Sequence, residues 1–93
     1  MELRDNEDIK HWDLILELIQ AERAEQITKW GIQEHTIEKW LVILGEEFGE
    51  MCQAALNGNS DSFVKEAVQV IMVTINILDA FLSWTKRQHG VKK

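Results

Sequence analysis

Two segments of this chain carry side chains equipped for chemistry: Glu46-Glu47-Phe48-Gly49-Glu50 and Glu66-Ala67-Val68-Gln69. Both lie in apolar sequence of helical character. Residues three and four apart on a helix are neighbours, so Glu47 and Glu50 share a face, as do Glu46 and Glu50. Glu66 and Gln69 share a face on the next helix. Brought together, the two faces converge several oxygen ligands on one point. Such a set suits Mg²⁺, which takes a few carboxylates and keeps its other positions for water and phosphate.

The first cluster is costly for a helix chosen only for stability. Like charges four residues apart cost about 0.2–0.5 kcal/mol a pair. Gly45 and Gly49 each cost roughly 1 kcal/mol against alanine. These glycines would allow close helix approach or room for a ligand. The competing reading is a solvated acidic face. Glu66 and Gln69 weigh against it, because they open the most apolar run of the chain, where polar groups need partners. Asn76 lies seven residues beyond Gln69 on the same face. It either extends the polar track or bonds to a neighbouring helix.

Other chemistry finds little support. His11, His35 and His89 lack metal-ligand spacing. No strand precedes a glycine-rich phosphate loop, and serine and cysteine nucleophile motifs are absent. The single cysteine, Cys52, excludes an intrachain disulfide and reads as a small buried hydrophobe.

These residues need elements to position them. Ninety-three residues make one domain, 1–93, whose ends at 1–5 and 89–93 read as flexible. The apolar share of 45% is too high for a disordered chain. A net charge of −6 argues against nucleic acid or an anionic membrane as partner. The basic tail Lys86, Arg87, His89, Lys92 and Lys93 reads as a complement to a helix C-terminus. The polar, acidic N-terminus is no signal peptide. Gln69, Asn76 and Asp79 interrupt the longest apolar stretch, which argues against a membrane span. The expected compartment is the cytoplasm.

The fold class read from the pattern is all-α. A first helix is expected from about Asn6 to Lys29, stopping near Gly31. A second starts at Thr36, a good N-cap, and ends before Asn57-Gly58-Asn59. A third runs from about Ser60 to Gln88, with Gly90 as a stop. No segment alternates as a strand does. The first helix carries Ile9, Trp12, Leu16 and Ile19 at helical spacing, continued by Arg23, Gln26 and Trp30. Its stripe therefore turns polar, either at solvent or facing a site. The third helix is apolar nearly all round, from Phe63 to Trp84, and needs cover on more than one side. Two partner helices in one chain do not supply it. The expectation is a three-helix protomer whose bundle is completed by homo-oligomerisation.

The pattern Glu46-Glu47-x-x-Glu50, a spacer, then Glu66-x-x-Gln69 resembles the MazG-like all-α nucleoside triphosphate pyrophosphohydrolases. The stretch Glu22-Arg23, Gln26, Lys29-Trp30-Gly31, His35 and Trp40-Leu41 is similar in particular to the short phage- and prophage-type members. The likeness covers about residues 20–85. It implies a homodimer or homotetramer that hydrolyses a nucleoside triphosphate to monophosphate and pyrophosphate. It implies Mg²⁺, with Mn²⁺ as a substitute, held by Glu47, Glu50, Glu66 and Gln69. Glu46 would be an accessory ligand or orient the water. Arg23, Gln26, Lys29, Trp30 and Asn76 are the candidates for contacting phosphate or base. Gln69 departs from the aspartate of the family signature and brings an oxygen without charge. The alternatives are a catalytically silent nucleotide-binding or regulatory module on the same fold, and a plain helical oligomerisation protein.

Overall fold

The computed structural model describes residues 9–88, which form three helices and no strand. They are α1 (Trp12–Trp30), α2 (Ile37–Asn57) and α3 (Ser60–Gln88). Their limits follow local chemistry. Thr36 caps α2, its Oγ1 accepting from the Lys39 amide at 3.1 Å. Gly58 takes a left-handed conformation, φ 69°, which costs a residue without Cβ little. The amides of Gly58 and Asn59 then bond back to Ala55 and Ala54, closing α2 in a Schellman turn. Asn59 caps α3 through its Oδ1, which accepts from the Ser62 amide at 3.0 Å. A two-residue turn thus folds α3 back along α2. Gly31 ends α1 at φ 73° and ψ −171°, a region essentially confined to glycine.

Two expectations are corrected. The first helix does not include Ile9–His11: these residues form a turn, and the chain becomes helical only at Trp12. His11 has non-helical dihedrals and offers no side-chain cap, so Ile9 drops out of the apolar stripe. The part of the expectation before Ile9, the stop at Gly90 and the flexible ends lie outside the described residues.

Cys52 is exposed rather than buried. The inward stripe of α2 runs through Trp40, Leu44, Glu47, Met51 and Ala54 at three- and four-residue spacing, and Cys52 lies off it.

The core sits between α2 and α3. Trp40, Ala54, Val68, Met72 and Val73 are its buried side chains. α1 lies against α3 and buries none of its own residues fully. Among the described residues eighteen large apolar side chains stay exposed, while the buried core is five residues, one of them an alanine. On α2 these include Leu41, Val42, Phe48 and Leu56; on α3, Val64, Leu78, Phe81 and Leu82. α3 is also long and apolar enough to cross a membrane, with only 17% of its most apolar stretch buried. That is a statement of length and composition alone.

Candidate functional site

The turn at Gly58 makes α2 and α3 antiparallel neighbours and thereby sets Glu47 and Glu50 opposite Glu66. One carboxylate oxygen from each of the three lies within 4.8 Å of the others. Glu47 and Glu66 are half-buried and Glu50 is exposed. Charges this close in partial shelter repel strongly. Burial, first, pushes the Glu47 carboxyl from an ordinary 4.5 up to about 7; hydrogen bonding with Glu66 and the charges of Glu50 and Glu66 add to it. The cluster therefore holds a proton near neutrality where it would otherwise carry three full charges. A divalent cation relieves the same repulsion, and oxygen-only donors are the chemistry of Mg²⁺ or Mn²⁺. Glu46 is exposed and stands outside this triad.

Gln69, one turn beyond Glu66, is engaged by α1. Its Nε2 donates to Glu22 Oε2, and its Oε1 accepts from Gln26 Nε2 at 3.0 Å. Gln26 Nε2 also lies 2.9 Å from Glu22 Oε2. An ionised carboxylate only accepts, so both amides must turn nitrogen toward Glu22. This orientation is fixed by the network rather than by Gln69 itself. Further along, Arg23 Nη1 donates to Asn76 Oδ1 at 2.9 Å. Among the described residues three side-chain hydrogen bonds thus hold α1 to α3.

At the polar end of α1, Arg23 and Gln26 face α3. Both line a cavity of about 320 Å³ between the end of α1, the 31–36 segment and α3. Asn76, Asp79, His35 and Trp40 contribute to its walls, and Arg87 lies at its far end. Trp40 is buried, with His35 against it edge-on at 4.7 Å between centroids. Asn76 bonds to a neighbouring helix through Arg23 and lines the cavity.

Lys29 and Trp30 line no part of the cavity. Lys29 pairs with Glu25 at 3.4 Å along α1, and Trp30 is 66% exposed. Glu22, which accepts from Gln26 and Gln69, and Asp79, which lines the cavity, are marked only weakly in the sequence. The signals were faint but present: Glu22 precedes Gln26 by four, and Asp79 follows Asn76 by three on the polar track.

Comparisons with family models, curated proteins and solved structures find no match for this chain.

Proposed function

We propose that this chain is a Mg²⁺-dependent nucleotide pyrophosphohydrolase of the MazG-like type, converting a nucleoside triphosphate to monophosphate and pyrophosphate. The observation that carries the reading is the convergence of Glu47, Glu50 and Glu66 within 4.8 Å from two separate helices. A solvated acidic face has no need to bring a third carboxylate from another helix and hold a proton to do so. The two-part acidic motif resembles that family's signature, and the cavity beginning at Gln26 and Asn76 gives a nucleotide somewhere to lie.

In this reading Glu47, Glu50 and Glu66 hold the cation, which neutralises phosphate charge and lowers the pKa of a bound water. Glu46, one residue from the triad and open to solvent, orients that water. Arg23 and Gln26 are the phosphate- or sugar-contacting groups. Gln69 serves the site chiefly by tying Glu66's helix to Glu22 and Gln26, its oxygen already engaged by Gln26.

The protein works as a homo-oligomer in the cytoplasm. Exposed Leu41 and Phe48 of α2, with Val64, Leu78 and Leu82 of α3, favour a second copy as their cover. These side chains are apolar, and identical chains of net charge −6 associate through such surfaces rather than through their acidic ones.

The test is pyrophosphate release across the common ribo- and deoxyribonucleoside triphosphates, with Mg²⁺ and then Mn²⁺, beside Glu50→Gln. Release that vanishes in the variant supports the reading. A wild-type protein that binds nucleotide with Mg²⁺ yet releases no pyrophosphate instead supports a silent nucleotide-binding module. The amide at position 69, in place of a charged ligand, is the observation that favours this second reading.

A further inference from the structure

We propose that the cavity between α1, the 31–36 segment and α3 is a nucleobase pocket selective for guanine, with Asn76 and Asp79 as its specificity residues. The proposal rests on the nucleotide reading above and extends it to the base.

The argument starts from Arg23. A guanidinium only donates, so Asn76 must present Oδ1 to it, and does so at 2.9 Å. The orientation of the Asn76 amide is thereby decided. Its Nδ2 is left as a donor on the other side, and no hydrogen bond engages it among the described residues. Asp79 follows one helical turn later and lines the same cavity. Its carboxylate only accepts, and it too has no hydrogen bond or ion pair among the described residues. Residues three apart on a helix are neighbours, so this stretch of the wall, which Arg23 and Arg87 flank, sets the Asn76 donor beside a two-oxygen acceptor.

Guanine is the base whose pairing edge answers this pattern in full. Its O6 accepts from Asn76 Nδ2, while N1–H and the 2-amino group donate together to the two oxygens of Asp79. Adenine and cytosine can place a ring acceptor on Asn76 Nδ2, but each then brings only one donor to Asp79 and leaves its second oxygen unpaired. Uracil offers one donor flanked by a second carbonyl that the carboxylate repels. A site built around such hydrogen bonds rejects analogues that leave its groups unpaired. Asn76 lies ten residues beyond Glu66, about 15 Å along the helix axis. A base held there directs its phosphates back toward the acidic triad. Arg23, already locked to Asn76, fixes the reading head and need not touch the base.

The experiment titrates GMP, IMP, AMP, CMP and UMP onto the full chain without divalent metal, by calorimetry and by tryptophan fluorescence, since Trp40 lines the cavity. GMP should bind most tightly, by roughly 5- to 150-fold over AMP, CMP and UMP. IMP, which lacks the 2-amino group, should fall between. Asp79→Asn should lose this preference and gain affinity for XMP, whose 2-oxo group accepts from the new amide. An unfolded variant cannot produce that gain. Equal binding of the five nucleotides, binding of none at millimolar concentration, or an unchanged preference in Asp79→Asn overturns the proposal. Because no metal or turnover enters the titration, guanine selectivity without hydrolysis leaves the pocket standing and removes the hydrolase. Hydrolysis without selectivity does the reverse.

Discussion

Substituting Glu47 by glutamine should change how the stability of the protein depends on pH and Mg²⁺, in a direction the triad dictates. In the metal-free protein the Glu47 carboxyl is pushed from 4.5 up to about 7. Its folded pKa is raised, so the folded state holds the proton more tightly than the unfolded chain does. The stabilisation is fully present below about pH 4.5 and is lost as pH rises through 7. The difference, 7 minus 4.5, sets a ceiling of about 3 kcal/mol. Water reaches this half-exposed cluster and screens it, so about 1–2 kcal/mol is the expected size. For a domain of this length 1 kcal/mol moves Tm by about 4–8 °C. Metal-free wild type should therefore lose about 4–16 °C more than Glu47→Gln between pH 5 and 8, once both are melted by circular dichroism in matched buffers.

Mg²⁺ acts against this trend. It replaces the proton, so the wild-type Tm gain should grow with pH and fade below about 6, where the proton competes. At ten times the dissociation constant that gain is about 1.4 kcal/mol. Glu47→Gln, with one ligand charge fewer, should gain little at any pH. Parallel pH slopes in the two metal-free proteins, or an equal Mg²⁺ gain in both, would refute the reasoning.

Other consequences are simpler to read. Glu50→Gln and Glu66→Gln should each lower pyrophosphate release at least 100-fold while the helical circular dichroism spectrum stays intact; activity within threefold of wild type sinks the metal assignment. Glu22→Ala removes the acceptor shared by Gln26 and Gln69, and should cost about 1–3 kcal/mol in urea melts, since hydrogen bonds to a charged group are lost and two part-buried amides lose a partner. Leu78→Lys and Phe48→Lys put a charge on the exposed apolar faces and should shift the light-scattering mass toward a single chain; an unchanged mass rules those faces out as the interface. Gly58→Ala places a Cβ at φ 69° and should cost about 1 kcal/mol of stability without touching the triad.

The amino-acid sequence alone determined the helices, because their signals are local. Thr36 accepts from Lys39, Asn59 caps the next helix, and Gly58 adopts its positive φ, all within four residues. The face shared by Glu47 and Glu50 is likewise set by helical period. The turn at 9–11 was not legible, since nothing in Ile9-Lys10-His11 forbids a helix and only the missing cap delays it.

What tertiary structure decided is everything that depends on pairing between helices. Glu66 meets Glu47 and Glu50 only because the two-residue turn sets the register of α3 on α2, which raises the Glu47 carboxyl to about 7. Gln69 reads in the sequence as a neighbour of Glu66, yet its amide is claimed by Glu22 and Gln26 from 47 and 43 residues away. Arg23 and Gln26 separate from Lys29 and Trp30 for the same reason: all four lie on the polar end of one helix, but only the first two face α3 across the seam. Cys52 is apolar by type, and its exposure follows from which arc of α2 the core occupies. Residue type and helical period are properties of a segment; contact is a property of the packing, and the site is made of contacts.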